Sequence, residues 1–471
     1  MAQAIHFGTD GWRAIIGEDF TDENLARTIA AAARIFKEQR ASDPALAGCD
    51  TLIVGHDCRL DAHSYSQLAA GVAAAEGFTV KLSNDFCPTP CLCFSVARDP
   101  RAIGGIMLTS SHNPAEYLGV KLRMADGGAS SQEFTDRVEA VLPDQAPTAR
   151  GAFEEVDLIT PYLEALKQRV DGEAIAAAHL RVVVDPLYGA GRGHLAGLLR
   201  DLGVEVCEIN NAADPTFDGL HPEPIPPWID RGLAKVVELG FDACFINDGD
   251  ADRIGAGDEH GNFVNPHRII TLLVAHLVED KGLHGRVVST ITASALLARQ
   301  CKRLGLELTS TPVGFKWIYA EMGKGDVMLG GEESGGIGIP SHVMERDGLL
   351  MALLLVETMA QRHMSLGQLV QDMCDKLGTL EFARRGLSIT EEQMQHFRTE
   401  IVPNCSKQDF CGKQVVAVDR RDGVKFSLES DAWVMMRPSG TEPLVRIYAE
   451  AATMEEVEAL LDAASEVVVA P

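Results

Sequence analysis

Short apolar runs that stop abruptly in polar, glycine-containing clusters recur along this chain and constrain its fold more than any other feature. Thr51-Leu-Ile-Val-Gly55, Leu180-Arg-Val-Val-Val184, Phe241-Asp-Ala-Cys-Phe-Ile246 and Arg286-Val-Val-Ser289 have the character of buried strands. Helical stretches separate them: one capped by Thr21 and running to about Gln39, others from Ser64 to Glu76 and from Ile269 to Glu279. Strands alternating with helices predict α/β architecture with a largely parallel sheet. The pattern restarts near residue 180 and again near Gly257, with amphipathic helices at about 347–377 closing the third round. Alternating strands such as Gln414-Val-Val-Ala-Val418 and a helix near 454–464 then give the tail an α+β texture. Four domains follow, at 1–150, 151–256, 257–375 and 376–471, and a length of 471 residues agrees with them.

The chemistry-bearing residues sit where strands end. Thr109-Ser110-Ser111-His112-Asn113-Pro114 follows the short strand Gly104-Gly-Ile-Met-Leu108. Strand ends are where α/β proteins present reactive groups, although Ser, Asn and Pro also build ordinary turns. Asn247-Asp248-Gly249-Asp250-Ala251-Asp252-Arg253 places three alternating carboxylates in one loop. They can converge on one hard cation, and oxygen-only ligands select Mg²⁺, Ca²⁺ or Mn²⁺ over zinc. A calcium-binding EF-hand also alternates acids, and Glu259 falls at its twelfth position. Its sixth position requires glycine, however, and here holds Arg253. Gly330-Gly331-Glu332-Glu333-Ser334-Gly335-Gly336 offers two acids and a hydroxyl suited to sugar hydroxyls. Arg437-Pro-Ser439-Gly440-Thr441-Glu-Pro443 combines a guanidinium, two hydroxyls and exposed backbone N–H groups, the donors a phosphate requires. Arg446 lies nearby and either helps or pairs with a surface acid.

Charge narrows the partner. Forty-two basic residues against 68 acidic ones give a net charge of −26. Nucleic acid and anionic membrane are thereby disfavoured as partners. An anionic substrate would require the few cations to gather in one place, and several Arg and Lys do stand beside the glycine-rich loops. No apolar run approaches the ~18–20 residues that span a bilayer. The start Met-Ala-Gln-Ala-Ile-His lacks a basic segment followed by an apolar one, which predicts no secretory signal. Eleven cysteines, an odd number, fit reduced thiols in a cytoplasmic protein. The cluster Cys87-Pro-Thr-Pro-Cys91-Leu-Cys93 lacks zinc-ribbon spacing and reads as loop packing.

Four motifs in order, Thr-Ser-Ser-His-Asn-Pro, Asp-Gly-Asp-Ala-Asp-Arg, Gly-Glu-Glu-Ser-Gly-Gly and Arg-Pro-Ser-Gly-Thr-Glu-Pro, resemble the α-D-phosphohexomutase superfamily, the phosphoglucomutase and phosphomannomutase group. The resemblance spans essentially the whole chain, including Phe7-Gly-Thr-Asp-Gly-Trp-Arg13. It implies four domains around a central cleft, three similar mixed/parallel α/β units and a C-terminal α+β, TATA-binding-protein-like one. It further implies that Ser111, rather than its neighbour Ser110, carries a phosphoryl group, with Mg²⁺ held by that group together with Asp248, Asp250 and Asp252. Glu332 and Ser334 would hold sugar hydroxyls, and Arg437, Ser439, Gly440 and Thr441 the unreactive phosphate. Arg13, Lys121, Arg253 and Lys316 match positions near the transferring group, and His112 is either a base or a loop anchor. The implied reaction interconverts hexose 1-phosphate and hexose 6-phosphate through a hexose 1,6-bisphosphate that turns over in the cleft of a monomer or homodimer. Phosphomannomutase-like and phosphoglucosamine mutase-like relatives tend to carry His where this chain has Gly336, so Lys121 or Arg253 becomes the expected proton handler. Glu332-Glu333-Ser334 looks like the glucomutase form, which favours glucose phosphate over mannose or glucosamine phosphate.

Overall fold

The computed structural model describes residues 5–8, 10–439 and 443–469. Among them the strands form four sheets. In the first, Thr51–His56, Ala102–Leu108, Thr79–Ser83 and Glu154–Val156 run parallel. Every residue of the two central strands is buried, as expected of strands covered on both faces. Helices Asp22–Ser42, Ala62–Ala75 and Thr89–Arg98 supply that cover. Thr21 caps the first of these by accepting from the Asn24 N–H at 3.2 Å.

The sheets are mixed, as the family resemblance implies, rather than largely parallel as strand–helix alternation alone predicts. Tyr117–Met124 pairs antiparallel with Ala102–Leu108, and Gly11–Ile15 pairs antiparallel with Tyr117–Met124. The connection from Leu108 to Tyr117 is too short for the crossover that a parallel neighbour needs, so the chain can only turn back. The second sheet repeats the device: Ala243–Asn247 runs parallel to Arg181–Asp185 and turns back into Ile254–Asp258. In the third, Val327–Gly331 runs parallel to Arg286–Thr290 and turns back into Ile337–Gly338. The serine, triple-aspartate and Glu-Glu-Ser motifs therefore occupy equivalent hairpin turns in three sheets. The fourth sheet is antiparallel throughout, six strands backed by helix Met454–Val469. Its hairpin Trp433–Pro438 to Leu444–Ala451 carries the fourth motif.

The first three sheets share one continuous apolar core, whereas the fourth has a core of its own. Helix Gly348–Arg362 explains the sharing. It is not amphipathic: every residue from Gly348 to Ala360 is buried, because the helix lies between Gly172–Ala178 and Pro266–Glu279. Its one buried acid is fully paired: Glu357 accepts from His276 Nε2 at 2.8 Å, Lys281 Nζ at 2.7 Å and the Asp171 N–H at 2.7 Å. Helix Leu366–Leu377 is amphipathic as expected, burying Leu366, Leu369, Met373 and Leu377. All eleven cysteines are free, and Cys87, Cys91 and Cys93 are packed in the core. No helix among the described residues is long and apolar enough to cross a membrane.

Candidate active site

The serine turn is locked from below. Ser111 adopts a φ of +51°, a left-handed conformation that a non-glycine residue keeps only when its surroundings enforce it. Arg59 enforces it. Its buried guanidinium donates to the carbonyls of Pro114 (2.6 Å), Tyr117 (2.9 Å), Ser111 (2.8 Å) and Asn113 (2.6 Å). It is paired with Asp57 at 3.2 Å and lies over the Phe217 ring. Thr109 Oγ1 accepts from the Ser111 N–H at 2.9 Å, closing the turn. The two serines end in different places. Ser110 Oγ is buried with no hydrogen-bond partner, whereas Ser111 Oγ donates to Asp248 Oδ2 at 3.0 Å and lies 3.3 Å from His112 Nδ1.

The aspartate turn meets the serine turn backbone to backbone. A Cβ on Gly249 would stand 2.3 Å from the Ser111 carbonyl oxygen, so only glycine permits this approach. Asp248, Asp250 and Asp252 are buried, with ligand oxygens all within 4.8 Å of one another. Burial and the two neighbouring carboxylates push Asp248 well above the usual carboxylate range. Burial would raise Asp250 as well, but Lys121 and Thr89 hold it below that range. Asp250 Oδ2 accepts from Lys121 Nζ at 2.8 Å and from Thr89 Oγ1 at 2.5 Å. Asp252 Oδ2 accepts from Lys121 Nζ at 3.0 Å and pairs with Arg346 at 2.9 Å. Among the described residues the Oδ1 atoms of both are buried and have no hydrogen-bond partner, with Arg253 Nε 3.8 Å from that of Asp252. Two orphaned carboxylate oxygens beside a third carboxylate fit a hard divalent cation such as Mg²⁺. Glu259 stands outside the cluster, accepting from Ser365 Oγ and the Gly367 N–H, so no EF-hand loop forms.

Lys121 is a fixed positive charge at this centre. Burial would lower its pKa, but Asp10 at 3.1 Å together with Asp250 and Asp252 raises it above the ordinary lysine value. Asp10 also pairs with Arg123 at 2.9 Å and Arg346 at 2.7 Å, a hub that sequence reading takes for a turn residue. His112 stays neutral, because burial and the nearby Arg253 and Arg13 push it well below the usual histidine value.

Asp10, His112, Asn113 and Arg346 border a cleft of about 700 Å³ lined by residues of all four units. Among the described residues, Arg13, Arg253, Lys316, Arg346, Arg384, Arg385, Arg437 and Arg446 face it, against the acids Asp10, Glu223, Glu332 and Glu333. A chain of net charge −26 has thus gathered cations in one place, as an anionic ligand requires. Arg13 Nη1 donates to Asn113 Oδ1. Arg253 stands 3.8–3.9 Å from Glu223, Asp248 and Asp252. Lys316 is half-buried, 3.4 Å from Gln132 Oε1. Arg437 pairs with Asp422 at 2.8 Å, and Arg446 sits opposite it in the sheet register, which places Arg446 at the cleft rather than on an outer surface. Ser439 accepts at its carbonyl from Arg398 at 2.6 Å; Gly440 and Thr441 lie outside the described residues.

Glu332 and Ser334 face the cleft, while Glu333 Oε2 is engaged by the hydroxyls of Thr292 (2.6 Å) and Thr290 (3.1 Å). Arg346 explains Gly336. A Cβ at 336 would stand 2.4 Å from Arg346 Cδ, so the stem of an arginine ten residues on covers this position. Arg59, Thr89, Arg346 and Arg384 escape sequence reading, because none belongs to a glycine-rich motif.

Glu332 gives a pH-dependent prediction. Burial pushes its carboxyl up to about 7, although Arg346 opposes the shift. With the folded value above the unfolded one, this group's contribution to stability is full below about 4.5 and is lost as pH rises through about 7. Glu332→Gln removes that titration. Thermal melts of the ligand-free protein should show the variant gaining on the wild type by about 2–3 kcal/mol between pH 5 and pH 8. A stability difference that stays constant with pH would sink the assignment.

Comparison with known proteins agrees with this geometry. Residues 4–148, 160–261 and 265–377 match alpha/beta/alpha domains I, II and III of the phosphoglucomutase/phosphomannomutase family, and 402–467 its C-terminal domain. A phosphoglucomutase/phosphomannomutase of Thermococcus kodakarensis is 31% identical, covering 97% of this chain and 96% of the relative. A phosphoglucosamine mutase of Clostridium tetani is 30% identical over 96% of each. A crystal structure of a Thermus thermophilus protein superimposes with a TM-score of 0.88 at 38% identity, covering 99% of this chain and 100% of that one. A serine turn packed on a triple-aspartate turn, in a cation-lined cleft built from four domains of matching order, makes this chain a member of the phosphoglucomutase/phosphomannomutase family.

Proposed function

We propose that the protein interconverts hexose 1-phosphate and hexose 6-phosphate, with glucose as the hexose, through a phosphorylated Ser111. The observation that carries this reading is the place of Ser111 Oγ. It is 3.0 Å from Asp248, in a turn packed on the loop that carries two orphaned carboxylate oxygens, and its neighbours His112 and Asn113 line a cleft rich in arginine. Asp248, Asp250 and Asp252 would hold Mg²⁺, which when bound offsets the negative charge of the phosphoryl group and polarises it.

Phosphoryl transfer depends on positioning and electrostatics, and this chain's residues supply both. Arg59 fixes the Ser111 backbone, and Lys121, kept protonated by Asp10, Asp250 and Asp252, sets a positive charge within the aspartate cluster. Lys121 is therefore a fixed positive charge rather than a base or an acid. His112, kept neutral, faces the cleft, and Arg13 and Arg253 stand on either side. Glu332 and Ser334 would take the middle hydroxyls of the sugar, and Arg437 with Ser439, Gly440 and Thr441 the phosphate at rest. The hydroxyl of the bound monophosphate attacks the phosphorus on Ser111, the Ser111 O–P bond breaks, the hydroxyl's proton ends on Ser111 Oγ, and a bisphosphate forms. It turns end for end, and its other phosphate returns to Ser111 Oγ.

Contacts to the 3- and 4-hydroxyls serve both orientations and do not distinguish sugars that differ at C2. Glucose is favoured by the Glu332-Glu333-Ser334 sequence and by Arg346 occupying the place of the histidine that mannose- and glucosamine-type relatives tend to carry. The test is turnover of the 1-phosphates of glucose, mannose and glucosamine with Mg²⁺ and a trace of glucose 1,6-bisphosphate. Conversion to 6-phosphates, fastest for glucose, is expected. Free phosphate or no product overturns the mutase reading, and a preference for mannose or glucosamine overturns the sugar.

A further inference from the structure

We propose that Thr89, buried at the start of helix Thr89–Arg98 and away from the cleft, is a positioning residue that decides which oxygen of Asp250 stays open for the metal. The inference rests on the metal-site reading above.

Thr89 grips Asp250 at two points from another sheet. Its Oγ1 donates to Asp250 Oδ2 at 2.5 Å, and its backbone N–H donates to the Asp250 carbonyl at 2.9 Å. The first N–H groups of a helix have no partner inside the helix. Pro90 has no N–H to offer, so the free donor at this end is that of Thr89, and Asp250 takes it. The Cys-Pro-Thr-Pro-Cys stretch, which reads as loop packing in the sequence, thus holds a threonine rigidly against the aspartate turn.

The consequence is an asymmetric carboxylate. Asp250 Oδ2 is saturated by Thr89 and Lys121, whereas Oδ1 is buried and has no partner. Without the Thr89 hydroxyl, Lys121 alone would hold Oδ2, and the carboxylate could rotate to present either oxygen. Hydrogen bonds that orient a metal ligand in this way typically govern affinity by 10–100-fold. Thr89 is fully buried and does not line the cleft, so it does not touch the sugar phosphate.

The test is Mn²⁺ binding to the dephosphorylated protein, followed by electron paramagnetic resonance. Thr89→Val, which keeps the shape and removes the hydroxyl, should bind roughly 10–100-fold more weakly. Thr89→Ser, which keeps the hydroxyl, should bind within a few-fold of wild type, and Thr89→Val should recover most of its kcat at saturating Mg²⁺. Thr89→Ala carries the same expectation should Thr89→Val not fold. Wild-type affinity in a folded variant without the hydroxyl overturns the role of Thr89 and leaves the metal site standing. Absence of Mn²⁺ binding by the wild type overturns the metal-site reading, and this proposal with it.

Discussion

Ser111→Ala is expected to abolish both phosphorylation and turnover, with kcat falling by at least about 10⁴-fold, as when a covalent nucleophile is removed from other enzymes. The variant should fold. Arg59 holds the turn through backbone carbonyls, and the left-handed φ at 111 is no harder for alanine than for serine. Ser110→Ala is the control. Its Oγ is already buried without a partner, so removing it should leave turnover within a few-fold and stability unchanged or slightly raised. Intact mass after incubation with glucose 1,6-bisphosphate reads the phosphoenzyme directly. Phosphate retained on Ser111→Ala and lost on Ser110→Ala would reverse the assignment of the nucleophile.

That pair of neighbours shows where sequence reading runs out. Asp248, Asp250 and Asp252 are legible because their spacing is local: three carboxylates within five residues of a strand end must repel unless something positive joins them. The strands and helices of the three α/β rounds are legible for the same reason, since hydrophobic period is a short-range signal. Which serine points toward the aspartates is not local. It depends on Arg59, fifty-two residues earlier, which fixes the turn that separates Ser110 from Ser111. Thr89 reaches Asp250 across 161 residues, and Arg346 reaches Asp10 across 336. No motif spacing encodes contacts of that range. They arise because three sheets place their hairpin turns around one centre.

Two features were within reach of simple physics. The short return from Leu108 to Tyr117 forbids a parallel crossover, so the mixed sheet follows from loop length alone. The run Leu349-Leu-Met-Ala-Leu-Leu-Leu-Val356 has no polar face, so its helix had to lie between two other layers. Gly336 is the opposite case. Its meaning comes from Arg346, whose stem fills the space above it, and nothing in either segment's sequence announces the exchange.

Arg59→Met is the second large effect expected, and it acts on fold and function together. The substitution removes the donors to four carbonyls and leaves Asp57 buried without its cation. Breaking a buried pair from one side typically costs about 3–5 kcal/mol, here a fall in melting temperature of roughly 10 °C. The cost should depend on pH. Burial already pushes the Asp57 carboxyl up to about 6 even with Arg59 in place. A folded value above the unfolded one means stability is full at low pH and is lost as pH rises through the folded value. Without Arg59 that value climbs further, so the deficit of the variant should shrink from pH 8 to pH 5.5. Adding Asp57→Asn removes the stranded charge and should recover much of the stability at pH 8. Turnover should not recover, because the Ser111 carbonyl still lacks its anchor and the serine no longer faces Asp248. A double variant with wild-type turnover would mean that Arg59 serves only to neutralise Asp57, and that the serine turn holds its shape without it.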